Sequence, residues 1–265
     1  MLVALNCLVA HECVADNASH SMAKKEKPSK AKKAILRIST EEFAAKGFNG
    51  ARIEVIASRA KVNQAMLYYH YGCKDKLYAR AIQSLAESEF GDAWPKFPDT
   101  WNLSDVEELY LVMYYFTRYQ LTIVDPLFSR LLAWDLAENN HILKRVIQDY
   151  FIPLMEQFVG FLEKGVAAGE YAVTEPHLFV HNFFSTLAWY KLNRNSLEGT
   201  EIFEKLYEKE AVERFAVFFV SHSLRALSPP EKVLNPTIAP EYLNHVQAML
   251  KAKAIEKATH REANE

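Results

Sequence analysis

The chain has 265 residues, half of them apolar, which is enough to bury a sizeable core in one or two compact units. Its three cysteines, Cys7, Cys13 and Cys73, are too few and too irregularly spaced for a disulfide scaffold or a zinc site, and they fit a reducing, cytoplasmic setting. The net charge of −2 conceals a split: residues 24–80 hold 14 Lys and Arg against 5 acidic residues, a net of +9, while residues 81–265 hold 17 against 26, a net of −9. A basic segment on an acidic body is the electrostatic footprint of a nucleic-acid-binding module.

Residues 1–21 are partly apolar, but His11, Glu12, Asp16 and Asn17 interrupt them and no Lys or Arg precedes them. That pattern suits neither a signal peptide nor a bilayer span. Met22 stands just before the lysines, so translation from Met22, or a disordered leader ahead of it, is the expectation. Residues 1–29 then read as a disordered or extended basic arm, and the lysines around the start of the first helix, Lys24, Lys25, Lys27, Lys30, Lys32 and Lys33, are expected to supply sequence-independent attraction to a phosphate backbone.

Ile35, Leu36, Phe43 and Ala44 mark a helix over 32–46, and Gly47 is its natural stop. Ile53, Ile56 and Ala57 share a face of a second helix, 52–60. Asn63 is placed to cap a third over 63–69, because its side-chain oxygen can accept an orphan N–H of the first turn. A fourth runs from 73 to about 90. Two short helices separated by a tight turn and framed by longer ones make a helix-turn-helix.

The spaced set Ile35, Leu36, Phe43, Gly47, Phe48, Ile53, Ile56, Ala57, Leu67, Tyr68, Tyr69, His70, Tyr71, Lys74, Asp75, Lys76 and Leu77 resembles the N-terminal domain of TetR/AcrR-type transcriptional regulators. The likeness covers roughly residues 30–80. It implies an all-α fold in which this domain precedes a helical ligand-binding and dimerisation domain at 81–228, with residues 229–265 as a C-terminal extension carrying a final helix. Three positions depart from the family pattern: Ala51 where Thr usually opens the second helix, Lys61 where Gly is common in the turn, and Cys73 where Ser usually caps the fourth helix.

Recognition of DNA needs a helix whose first turn meets base edges in the major groove. Asn63, Gln64, Ala65 and Met66 lie at that end. Gln64 can pair with adenine, and Ala65 or Met66 can touch a thymine methyl. The resemblance assigns backbone contacts to Tyr68, Tyr69, His70 and Lys74, and Arg52 can replace the missing hydroxyl of position 51. Leu67 reads as core, as does at least one of Tyr68 and Tyr71.

Periodic apolar residues predict body helices over 105–124, 126–138, 141–165, 175–193 and 200–226, and a last one over 240–258. The resemblance implies a homodimer through the last two long body helices, with Phe183, Phe184, Leu187, Phe215, Phe218 and Phe219 as interface candidates. It also implies a small-molecule effector held among the middle helices. Tyr110, Tyr114, Tyr115, Phe128, Trp134, Phe158 and His181 are the lining candidates, and they suggest an apolar or aromatic compound. His177 and His181 are four apart on one helix, yet no third ligand accompanies them, so neither a metal nor another cofactor is expected.

The chain has no Gly-rich phosphate loop, nucleophile elbow or paired-histidine hydrolase motif, and no catalytic residue is predicted. The reading is a non-enzymatic, cytoplasmic repressor that binds a palindromic double-stranded operator and is released by its effector, with no membrane partner. The competing classes are a helical ligand-binding protein and a protein-interaction adaptor.

Overall fold

The computed structural model describes residues 30–90, 94–138, 142–207 and 209–262. The arm and leader expected at 1–29 lie outside these. The described residues are helical and contain no strand. They form two compact units: one built from the chain up to Glu87 together with Pro126–Val146, the other from Ser88–Asp125 and Ile147–His260.

The first unit contains α1 (Lys30–Gly50), α2 (Ile53–Arg59), α3 (Gln64–Tyr71), most of α4 (Lys74–Phe90), α6 (Pro126–Ala137) and α7 (Ile142–Val146). The predicted stop at Gly47 is a break inside α1, where φ is +70°. A Cβ there would sit 2.9 Å from the Trp134 ring and 2.8 Å from the Glu138 carboxylate, so only glycine fits. Ile35, Phe43, Ile56, Leu67, Leu77 and Ile82 are fully buried together with Tyr78. Phe43 meets the Tyr78 ring edge-on at 4.9 Å. Burying each of these side chains contributes roughly 2 kcal/mol. The apolar face of α6 is laid along α1, so residues 126–146 pack with the helix-turn-helix.

The second unit holds α5 (Asp105–Thr122), a π turn at Ile147–Phe151 leading into α8 (Ile152–Ala167), α9 (Pro176–Leu192), α10 (Arg194–Leu197), α11 (Glu201–Tyr207), α12 (Lys209–Ala226) and α13 (Pro240–Glu262). Ser104 and Glu107 form a reciprocal capping box that starts α5. The core is an aromatic lattice: Phe158 contacts Phe116, Phe183 and Phe184, and Phe183 stacks on Phe219 with ring centres 5.0 Å apart. Helix α12 packs along α5, and α9 lies against both α5 and α8. No helix of the described residues is long and apolar enough to cross a membrane.

Candidate nucleic-acid interface

The turn between α2 and α3 is a Schellman motif. Val62 N–H donates to the Ala57 carbonyl at 3.0 Å, Lys61 N–H donates to the Ser58 carbonyl at 3.1 Å, and Lys61 takes the left-handed conformation with φ +54°. Lysine at this position costs roughly 1 kcal/mol relative to glycine. The motif reverses the chain within a few residues and delivers Asn63, whose side-chain oxygen accepts the Met66 N–H at 2.8 Å. That is the predicted cap, and it starts α3 with its first turn in solvent.

Leu67 and Tyr71, four apart, form the inner face of α3. Tyr71 also donates its hydroxyl to the Lys32 carbonyl at 2.7 Å, tying α3 to the start of α1; burial pushes its pKa up to about 12. Of the two tyrosines weighed for core, Tyr71 is therefore the buried one. The outer face carries Gln64, Ala65, Met66, Tyr68 and Tyr69 in solvent, and Tyr69 is 85% exposed. His70 is half-buried, its ring edge-on to Tyr69.

The cations divide into two groups. Arg59 bridges Glu41 and Glu42, Arg37 pairs with Glu41, and Arg80 pairs with Glu87, so these three hold the domain together. Arg52 is exposed at the start of α2, without a side-chain cap and without an ion pair among the described residues. Ala51 beside it is buried. Lys74 lies 4.8 Å from the Phe48 ring centre, and burial lowers its pKa while Glu138, Asp75 and Glu54 oppose that shift. Its ammonium is thus held by the ring at the first turn of α4.

Two carboxylates without an assignable partner in the sequence prove to brace this unit. Glu138 accepts from the Phe48 N–H at 2.8 Å and the Asn49 N–H at 3.3 Å, closing the chain after the Gly47 break. Asp135 is 1% exposed and accepts the Leu143 N–H at 2.8 Å, and its carboxylate also faces the Tyr78 hydroxyl.

The seven effector candidates are distributed over both units. Phe128 and Trp134 belong to the first unit, where α6 spends its apolar face on α1 and Trp134 rests against Gly47. His181 is exposed on α9, with Ser185 Oγ 3.4 Å from its Nε2. Tyr110, Tyr114, Tyr115 and Phe158 are buried in the second unit. Tyr114 donates to Glu213 at 2.6 Å, and Arg118 pairs with the same carboxylate at 2.5 Å. A groove of about 470 Å³ lies elsewhere in this unit, lined by Ser104, Val106, Glu107, Glu170, Lys232 and Leu234 among others.

The interface candidates also need correction. Phe183, Phe184, Leu187 and Phe219 are interior residues of the aromatic lattice and Phe215 is half-buried against Tyr190, which leaves Phe218, 67% exposed, as the one fully on the surface. The sequence reading missed the exposed apolar residues of the same helices: Leu178, Trp189 and Leu192 on α9, and Val217 on α12. His177 lies 3.4 Å from Glu156, and no cluster of three metal-binding side chains occurs among the described residues.

A short capped helix projecting polar and aromatic side chains from a basic domain, behind a tight turn, defines a helix-turn-helix DNA-binding regulator. Residues 35–81 match the model of the bacterial regulatory proteins of the tetR family. The chain is 27% identical over 201 residues to the HTH-type transcriptional repressor NicS of Pseudomonas putida, an overlap spanning 73% of this chain and 90% of that protein. It is 38% identical over 56 residues to the HTH-type transcriptional repressor SCO4008 of Streptomyces coelicolor, covering 21% of this chain and 29% of that protein. Among solved structures, the flavonoid-responsive regulator FrrA is similar in fold with a TM-score of 0.54 at 21% identity, over 76% of this chain and 98% of that one. A TetR-family regulator from Mesorhizobium loti gives 0.52 at 18% identity, over 77% and 100%. Residues 35–81 are thus similar to the tetR-family DNA-binding domain, and the chain as a whole is similar to HTH-type transcriptional repressors.

Proposed function

We propose that the protein is a homodimeric repressor that binds a palindromic operator through two copies of α3 and is released by a small apolar or aromatic effector. The observation that carries the DNA-binding part is the exposed first turn of α3, where Gln64, Ala65 and Met66 stand clear of the core behind the Asn63 cap. Gln64 reads a base edge, and Ala65 and Met66 meet thymine methyls. Arg52, Tyr68, Tyr69, His70 and Lys74 hold phosphates.

A dimer is supported by the exposed residues Leu178, Trp189, Leu192, Val217 and Phe218, all on α9 and α12. Apolar groups of this size left in water on two neighbouring stretches of sequence call for a partner, and a second copy matches a two-fold operator. The effector reading rests on the aromatic interior around Tyr110, Tyr114, Tyr115 and Phe158. A cytoplasmic location follows from a DNA target.

The test is a gel shift with the chain's own upstream region in excess competitor DNA, beside light scattering of wild type and Phe218→Asp. A retained complex, a dimer mass for wild type and a monomer for the variant are expected. Complexes removed by any DNA, or a monomer throughout, would overturn the reading.

A further inference from the structure

Helix α13 belongs to the C-terminal extension, to which sequence reasoning gave no role, and its final turns meet a buried charge. Glu89, in the last turn of α4, is 2% exposed. Its carboxylate accepts the Asp125 N–H at 3.2 Å and the Tyr119 hydroxyl at 3.3 Å, and pairs with the Lys257 ammonium at 2.5 Å. The same ammonium lies 4.9 Å from the centre of the Tyr119 ring. Tyr119 is itself 2% exposed and also donates to the Glu89 carbonyl at 3.1 Å. One carboxylate thus gathers α4, α5 and α13.

This arrangement is costly unless Lys257 is present. An anion at the C-terminal end of a helix opposes the helix dipole, and a buried anion stripped of its cation is strongly destabilising. The other nearby cation, Lys191, is divided between this carboxylate, Asp125 and a backbone acceptor. The Lys191 ammonium donates to the Val124 carbonyl at 2.7 Å, and Asp125 adds a second carboxylate to the cluster. Without Lys257 the last turn of α4 is left with a buried carboxylate facing its own C-terminal dipole.

The dock extends along α13. Tyr242 stacks on Trp101 with ring centres 4.3 Å apart, His245 meets the same indole edge-on at 4.8 Å, and Val246 and Leu250 are buried. Lys253, by contrast, pairs with Glu256 of its own helix. Lys257 pairs instead with a carboxylate of another element.

We infer that α13 is a strap: by placing Lys257 on Glu89 it pins the body end of α4, the helix whose first turn carries Lys74, and its release lowers the affinity for DNA. The inference rests on the reading of this chain as a DNA-binding regulator. α4 is one continuous helix, in the first unit up to Glu87 and in the second from Ser88. A helix held to its last turn enters the complex already ordered, whereas a frayed one must be ordered on binding, at the expense of affinity.

The experiment compares full-length wild type, Lys257→Met, the double variant Glu89→Gln/Lys257→Met, and Lys253→Met as control. Amide hydrogen exchange is read at 88–90 and 119–125, and affinity is measured for DNA from the chain's own upstream region. Lys257→Met is expected to speed exchange in both segments, and to weaken DNA binding, by about tenfold each. The double variant leaves no lone buried charge, so it keeps the fold and carries the same expectation should the single variant not fold. Lys253→Met is expected to stay within about twofold on both measures. Unchanged exchange overturns the strap, and faster exchange with undiminished DNA affinity overturns its link to binding. If wild type itself does not prefer that DNA, the regulator reading fails, and the hold of α13 on α4 is decided by exchange alone.

Discussion

The Glu138 carboxylate accepts two consecutive backbone N–H groups, from Phe48 and Asn49, and so closes α1 at its glycine break from a position 90 residues away in the chain. Hydrogen bonds to a charged acceptor are stronger than neutral ones, and these satisfy donors that α1 leaves open after Gly47. Glu138→Ala is expected to destabilise the first unit by about 1 to 2 kcal/mol. Glu138→Gln, which keeps one carbonyl acceptor, should lose less. Urea unfolding followed by circular dichroism measures both, and equal stabilities for all three proteins would remove the brace.

Lys61 holds a left-handed conformation at the C′ position of a Schellman turn. Lys61→Gly should raise stability by roughly 1 kcal/mol, whereas Lys61→Ala, which retains a Cβ in the same conformation, should leave it almost unchanged. Thermal unfolding of the pair separates backbone strain from loss of the ammonium. A gain on alanine equal to that on glycine would place the cost in the side chain.

Arg52 and Arg59 stand at opposite ends of α2 and should behave differently. Arg52→Ala is expected to weaken binding to all DNA and to reduce the slope of log affinity against log salt by about 1. Arg59→Ala breaks its bridges to Glu41 and Glu42, exposed on the arginine side, so its effect should appear in stability, at roughly 1 kcal/mol or less. Gln64→Ala, in turn, should change the ranking of operators, by about 1 to 3 kcal/mol at one base pair. Titrations at several salt concentrations report all three.

Burial, aided by the Lys257 charge and opposed by Glu89 and Asp125, lowers the Lys191 pKa from its ordinary 10.5 to about 8. Below pH 8 the ammonium is charged in both folded and unfolded chains, and folding carries the full burial cost. Between the two values the folded chain has released a proton that the unfolded chain still binds, so stability from this group rises with pH. Relative to Lys191→Met, wild type should gain up to about 2 to 3 kcal/mol between pH 7 and pH 10. A difference that stays flat across that range would mean that Lys191 keeps its proton in the fold.

The helix-turn-helix was legible because its signals are local. Asn63 caps the helix that begins beside it, and Leu67 reads as core at once, whereas the choice between Tyr68 and Tyr71 needed the fold, which buries Tyr71. Helix α9 offers no such contrast. Phe179, Phe183, Phe184, Trp189 and Tyr190 surround it, so periodicity cannot tell which side meets the core, and residues proposed for an interface proved to be interior. The long reading over 141–165 broke into α7, a π turn and α8, since apolar spacing alone does not register such an interruption. The brace at Glu138 and the pin at Glu89 join residues 90 and 168 positions apart, and no spacing rule connects them.

The Asn63 cap also limits what this protein can spell out on DNA. Its Oδ1 is turned to the Met66 N–H, so the amide presents chiefly its two N–H donors outward. Reading adenine through an asparagine requires a donor and an acceptor side by side, and that grammar is denied to position 63 as long as α3 keeps its cap. Asn63 is left with acceptor partners such as guanine N7 or a phosphate oxygen. The adenine reader proposed above, Gln64, lies one residue further along and has no such tie among the described residues.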